Sequence, residues 1–409
     1  MKIVVLCPHF EPDTAPTGTV MTRLVHELGR RGHQLHVVTA LPWYRKHRIE
    51  EGWEGSRIRR ATTWFGSVTR VHPFPGKDRS NIARRALGFG GFCALAGWGA
   101  LTAGREGGRG RVDVVLVMSP PLPLGLVGWA VGLLRRAPLV FNVQDVFPDA
   151  AVETGAITNP RIIAAARWLE RVTYGRSAAI TVLSDDLAAN VAAKVSPSRR
   201  AAVRMIPNFV DTEAIRPLDR MTAYRSELGI GDEPVVMYAG NVGMSQSLNL
   251  LVEAARQIPN VTFVINGDGS GRQGLEALAA GLPNVRFGAY QPVERLSEVL
   301  ATGDVHVVPL KTGLGRVSVP SKTYSILAAG RPILAAIDPG TEVPRILEQS
   351  RAGRSVAPDR ADLFVAALRD LLADPAGLIT AGRSGRIWVE QHVSPAAVAE
   401  RYEALFASL

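Results

Sequence analysis

Tyr238-Ala239-Gly240-Asn241-Val242-Gly243-Met244-Ser245-Gln246-Ser247-Leu248-Asn249-Leu250-Leu251 reads, in order, as the end of a strand, a glycine loop and the start of a helix. The apolar run Val235–Tyr238 predicts the strand, and the spacing over Leu248–Gln257 predicts the helix. The same order returns twice downstream. Val261–Ile265 runs into Asn266-Gly267-Asp268-Gly269-Ser270-Gly271, and Val285–Phe287 runs into Gly288-Ala289-Tyr290-Gln291-Pro292. Further apolar runs follow at Val305–Val308 and Ile333–Ala336. Toward the N-terminus, strands are predicted at Lys2–Cys7, Gln34–Thr39, Val112–Val117, Leu139–Val143 and Ala179–Leu183, with helices over Val20–Arg31 and Pro160–Tyr174. Continuous apolar strands alternating with helices imply parallel sheets covered on both faces.

Two successive sets of such units imply an α/β chain of two Rossmann-like halves, joined near Ile206-Pro207-Asn208-Phe209-Val210-Asp211. Ligand is expected in a cleft at the carboxyl ends of the strands. Four glycine loops fall there, counting Pro8–Thr19 with its Gly18. The Pro8–Thr19 loop is not GxGxxG, and no acidic residue closes the second strand at Thr39-Ala40, which counts against a dinucleotide-dependent dehydrogenase. A fifth element is Thr312-Gly313-Leu314-Gly315 followed by Pro320-Ser321-Lys322-Thr323-Tyr324. Ser321 is placed to cap a helix running to Gly330, and Lys322 adds a positive charge where free amides attract anions. A phosphate is the ligand these features suit.

The net charge of +10 belongs to one half of the 409 residues: 24 Lys and Arg face 15 Asp and Glu through Asp186, against 23 and 22 after it. Such a field attracts anionic headgroups or phosphorylated acceptors; no nucleic-acid-binding motif accompanies it. Within that half, Ala86–Ala103 is uncharged and flanked by Arg84-Arg85 and Arg105. A span needs ~20 strongly apolar residues, and five glycines here point instead to a buried or membrane-surface helix. Only Cys7 and Cys93 are present, which leaves no disulfide framework or cysteine metal site. Met1–Leu6 reads as a buried strand rather than a signal segment, so a cytoplasmic protein is expected.

Phe10-Glu11-Pro12-Asp13 with Gly18, Arg31-Gly32-His33, Ile206-Pro207-Asn208 with Val210-Asp211, Asn266-Gly267-Asp268-Gly269, Gly303-Asp304-Val305 with Pro309, and Ala328-Ala329-Gly330-Arg331-Pro332 occur in this order over nearly the whole chain. With them the chain resembles the retaining family-4 glycosyltransferases of the GT-B fold. Pro320-Ser321-Lys322 and Gln144-Asp145-Val146-Phe147-Pro148 bring it nearest to the WbuB-like aminosugar transferases of surface-polysaccharide synthesis. The resemblance implies residues 1–210 as the acceptor domain, 211–387 as the donor domain, and 388–409 returning to the first as a C-terminal helix. It implies transfer of a hexose or N-acetyl aminosugar, with retention and without metal or other cofactor. The donor would be a nucleotide diphosphate sugar, a UDP-sugar above others. A lipid-linked or other glycan acceptor and a peripheral position on the inner membrane face complete that expectation.

Carried over residue by residue, base and ribose would meet Gly267, Asp268, Gly269, Tyr290 and Gln291. The diphosphate would meet Gly18, Pro320, Ser321, Lys322 and Thr323. Two departures matter. Asn241 and Gln246 stand where the family carries an arginine and a lysine, and Val317 and Ser325 stand where it carries two glutamates. Lys322, with Arg316 as a further cation, must then meet the donor's charge. For the chemical step, Asp145 at the end of the fourth strand, or His9 at the end of the first, could orient the acceptor or take its proton. Two rivals share the fold: a nucleotide-sugar 2-epimerase, which needs a cluster of acidic residues not evident here, and a non-catalytic nucleotide-sugar-binding protein, suggested by the missing glutamates.

Overall fold

The computed structural model describes the chain apart from residues 46, 75–81, 106–110, 150–151, 153–156 and 316–318, and apart from the side chains of 82–87. Two units emerge, Met1–Asn208 with Val398–Leu409, and Phe209–Ala397. The first holds an eight-stranded sheet of β1 (Lys2–Leu6), β2 (Gln34–Ala40), β3 (Ile58–Thr63), β4 (Gly66–Val71), β5 (Val114–Ser119), β6 (Leu139–Val143), β7 (Ala179–Val182) and β8 (Val203–Met205), in the order β3-β4-β2-β1-β5-β6-β7-β8. Every pairing is parallel except β3 with β4. The second unit holds β9 (Val235–Ala239), β10 (Thr262–Asn266), β11 (Val285–Gly288), β12 (Val305–Pro309), β13 (Ile333–Ala336) and β14 (Gly353–Val356), all parallel, in the order β11-β10-β9-β12-β13-β14.

These strands are apolar throughout because both of their faces are covered. Alternate residues of β9 serve different cores: Val236 and Tyr238 pack with Phe263, Ile265 and Val307, whereas Val235 and Met237 pack with Val264 and Val299. The helix over Pro16–Arg30 begins four residues earlier than its apolar spacing predicts, because Pro16 occupies the first turn, where no amide hydrogen is needed. At its other end, Arg31 and His33 hold Glu403 of the Pro395–Ala407 helix, with 2.6 Å from His33 Nε2 to the carboxylate. Tyr402, on the same helix, receives a hydrogen bond from Asn142 at the end of β6 (2.9 Å).

The uncharged segment Ala86–Ala103 falls largely within a helix, Ile82–Thr102, that is half core and half surface. Phe92, Cys93, Ala96 and Ala100 are buried, while Trp98 is 60% exposed. Three of its glycines serve packing against neighbouring side chains: a Cβ at Gly91, Gly97 or Gly99 would come within 3.0 Å of Phe74, Val127 or Val38. Among the described residues no helix is long and apolar enough to cross a membrane. Arg135, buried at the end of the Pro123–Arg135 helix, donates to the carbonyls of Ala100, Leu101 and Ala103 at 2.9–3.0 Å. A cation thus closes the helix C-terminus, where orphan carbonyls and the dipole favour one.

Arg135→Ala should lower the unfolding free energy by about 2–4 kcal/mol, because buried carbonyls lose a charged donor. In a urea titration the midpoint should move down with its slope unchanged.

Candidate active site

The strand order of the second unit reverses between β9 and β12. Loops leaving the carboxyl ends of such neighbours part toward opposite faces and open a crevice. The loop after β9 is stitched to the next two. Gly240 N–H donates to Asn266 O and Val242 N–H to Asp268 O (both 2.9 Å), and Gly267 N–H donates to Gly288 O (3.1 Å). At Gly267, φ is +142° and a Cβ would lie 1.9 Å from the Gly240 carbonyl oxygen, so no side chain fits. Arg272 donates to the carbonyls of Gly267 and Gly288, binding the second and third loops from behind.

Against this loop lies Lys322, the first residue of the Lys322–Ala328 helix. Its Nζ sits 3.8 Å from the centroid of the Tyr238 ring and would be 2.6 Å from a Cβ at Gly240. Among the described residues it has no carboxylate partner. Burial alone pulls its pKa down from 10.5 to about 7. A cation desolvated over one aromatic face, with no carboxylate beside it among the described residues, has the chemistry that suits an anionic ligand.

The other expected donor residues group around the same loops. Gln246 accepts from Gly243 N–H through Oε1 (3.0 Å), and Asn241 Oδ1 would lie 2.7 Å from a Cβ at Gly269. Asp268 is exposed, Tyr290 is 56% exposed and donates to Asp268 O (3.4 Å), and Gln291 accepts from Arg295 (3.1 Å). Pro320 is half-buried and Ser321 exposed, whereas Thr323 is wholly buried with its hydroxyl unpartnered. Ser321 does not cap: its backbone is helical and its side chain accepts no amide, so the expected cap is absent. Nor are the loop glycines free. Gly313 and Gly315 N–H donate to Asp338 (2.9–3.0 Å), and Thr312 N–H to Asp359 (3.1 Å). Arg316 lies outside the described residues. A cavity of about 210 Å³ beside the first loop is lined by Val242, Met244, Leu275 and Lys311. Lys322 is not among its walls.

In the first unit the order reverses between β1 and β5, and His9 leaves β1 there. Its Nδ1 lies 2.7 Å from Asp13 Oδ2. Gly18 is buried and a Cβ on it would meet His9 Cβ at 2.8 Å, so it lets the helix close on the histidine. Asp145 follows β6, two strands along and thus about 10 Å from the end of β1 at the backbone. It is exposed. Beneath it runs a buried amide chain: Asn208 donates to Gln144 (2.8 Å), Gln144 to Asn142 (2.7 Å), and Asn142 to Thr181 and Tyr402 (3.0 and 2.9 Å). Sequence reasoning passed over Asp13 and Tyr238. A carboxylate reached through a proline turn leaves no periodic signal, and a tyrosine ending a strand reads as core.

Residues 17–208 match the glycosyl transferase 4-like domain family and residues 233–374 match the glycosyl transferases group 1 family. The chain is a glycosyltransferase of the GT-B type. A protein of Escherichia coli described as colanic acid biosynthesis glycosyl transferase WcaI is 26% identical over 390 residues, covering 92% of this chain and 93% of its own. Sucrose-phosphate synthase of Thermosynechococcus elongatus shares the fold at a TM-score of 0.69 with 18% identity, and Anabaena HepE in complex with UDP-glucose does so at 0.66 with 15%. Both likenesses cover 100% of each chain.

Gly267→Ala should cost more than about 3 kcal/mol or prevent folding, through its clash and its positive φ. Gly274→Ala meets open space within a helix, and should be neutral or stabilising by up to about 1 kcal/mol. Thermal unfolding of the two variants side by side checks the pair.

Proposed function

We propose that this glycosyltransferase moves a hexose or N-acetyl aminosugar from a UDP-sugar to a lipid-linked or other glycan acceptor, with retention and without a metal. The observation that carries the reading is Lys322, an ammonium desolvated at the strand-order reversal beside a Gly-rich loop, with no carboxylate against it among the described residues. A diphosphate would supply the missing counter-charge, and ion pairing there gains from the low local dielectric. Base and ribose would then extend over Gly267–Gly269 toward Tyr290 and Gln291. His9 and Asp145 are the candidates for handling the acceptor: the imidazole takes a proton, the exposed carboxylate orients a hydroxyl or faces positive charge developing at the anomeric carbon. The UDP-glucose bound by HepE supports a UDP-sugar, and the colanic acid description of WcaI supports a surface-glycan acceptor. Both matched families are glycosyl transferases, which favours neither the epimerase nor the non-catalytic rival.

A screen of UDP-, GDP- and dTDP-sugars by thermal shift tests the donor; no stabilisation by any of them would overturn the reading. Lys322→Met should separate stability from function. The free variant should melt above the wild type, since a desolvated cation is gone, while the donor-induced shift shrinks by at least a tenfold loss of affinity, about 1.4 kcal/mol.

The pH dependence has a definite sign. Lys322 is charged in the folded chain only up to about pH 7 but up to about 10.5 when unfolded. Its cost to stability is therefore full below pH 7 and fades toward pH 10.5, so the gap between Lys322→Met and wild type narrows over that window. Donor affinity should fall as pH rises above about 7.

Membrane-surface binding is the second part of the proposal. Trp98, with Leu133 and Leu134 at 66% and 68% exposure, stands on two helices that pack together in the basic half of the chain. Serine at all three positions should reduce co-sedimentation with phosphatidylglycerol vesicles severalfold and leave the donor-induced shift unchanged; equal sedimentation would remove this part.

A further inference from the structure

His9 is held on four sides. Pro8-His9-Phe10-Glu11-Pro12-Asp13 turns back on itself, with Asp13 N–H donating to Phe10 O (3.0 Å). The turn brings Asp13 Oδ2 to 2.7 Å from His9 Nδ1. Asp13 cannot swing away: its side chain is 1% exposed, and its other oxygen accepts from Tyr44 N–H at 3.2 Å. Trp43 stacks on the imidazole, with centroids 5.7 Å apart and planes 26° from parallel, and Tyr44 meets it edge-on at 5.3 Å. Gly18 closes against its Cβ. What remains is a side chain 12% exposed.

A carboxylate only accepts hydrogen bonds, so the proton on a neutral His9 belongs on Nδ1 and the lone pair on Nε2. We propose that Asp13 is the positioning residue for His9, fixing the Nδ1–H tautomer so that Nε2 is the ring nitrogen open to an acceptor hydroxyl. This rests on the reading of His9 as the proton acceptor in sugar transfer. In that step the acceptor oxygen bonds to the anomeric carbon on the face from which the diphosphate departs, so that the configuration is kept, and the bond from that carbon to the donor's diphosphate breaks with its electron pair on the phosphate oxygen. The hydroxyl proton passes to Nε2. The resulting imidazolium faces the Asp13 carboxylate, which stabilises it, and it returns its proton to water afterwards. Trp43 and Tyr44 hold the ring in plane, and Trp43 keeps bulk water from one face.

Nitrogen NMR of the full chain labelled with ¹⁵N-histidine, at pH 8, reads the tautomer directly, with the His9 signals assigned by their loss in His9→Gln. Wild type and Asp13→Asn, whose amide oxygen can still accept, should show a protonated Nδ1 and a bare Nε2. Asp13→Ala should move toward the opposite tautomer. Turnover is read as hydrolysis of whichever UDP-, GDP- or dTDP-sugar gives the largest thermal shift. Asp13→Ala should lower kcat about 10²-fold with donor KM within threefold, and Asp13→Asn should recover part of it. An unchanged tautomer in Asp13→Ala, or kcat within threefold of wild type while His9→Gln loses it, overturns the role of Asp13 and leaves the donor reading intact. Full turnover by His9→Gln instead sinks the reading of His9 itself. If Asp13→Ala does not fold, Asp13→Asn decides: bare Nδ1 in that variant, or a donor KM that rises in step with the fall in kcat, counts against positioning.

Discussion

Gly267 meeting the carbonyl of Gly240 is the contact on which the second unit's loops depend. Three chain segments leave neighbouring strands and must converge without side chains between them, and a positive φ at Gly267 with no Cβ is the way the backbone does so. The approach lets amide pairs run from loop to loop, so that the position of one segment sets the others. Lys322 enters the same arrangement from a different strand's loop, and its ammonium occupies the space that a side chain at Gly240 would take. Glycine here is what leaves room for the cation.

Several of the motifs that reveal the family are scaffold rather than chemistry. Arg31 and His33 anchor Glu403 of the last helix. Asp304 receives Arg220 at 2.7 and 3.0 Å and the amide of Val235 at 2.8 Å, tying the segment before β9 to the start of the sheet. Asn208 begins the buried amide chain that runs under Asp145 to Tyr402. Buried charges and amides of this kind cost several kcal/mol when one partner is lost, which restricts substitution without any contact to a ligand. Shared motifs therefore report the fold more directly than they report the donor.

The α/β class and the parallel strands were legible because strands buried on both faces must be apolar: β1, β5, β6, β9, β10, β12 and β13 each advertise themselves as runs. The strands missed were those that escape that rule. β3 is an arginine-bearing antiparallel edge, β4 opens on Gly66-Ser67 and carries Thr69 and Arg70 among its buried residues, β8 has three residues, and β14 begins at a glycine with an arginine and a serine exposed. Charge placement was legible at Lys322 but its depth was not, since burial there is set by Tyr238 and Gly240 on another element. The glycine loop at Gly313–Gly315 misled for the same reason: Asp338, 23 residues on from Gly315, takes its amides.

Losing cations at Asn241 and Gln246 changes the electrostatics of the site more than a count of charges suggests. Two or three basic residues around a diphosphate repel one another when the site is empty, and solvent must enter to screen them. Among the described residues no like charge acts on Lys322, whose ammonium lies over an aromatic ring, so it can be drawn deeper. Its desolvation then raises the cost of the empty state and strengthens the field felt by an arriving anion. The same burial that depresses its pKa makes the site's charge depend on occupancy, because a bound diphosphate would favour the ammonium and restore its proton. A single largely buried cation would thus couple binding of a diphosphate to protonation, whereas a solvated cluster of arginines would stay charged at every physiological pH.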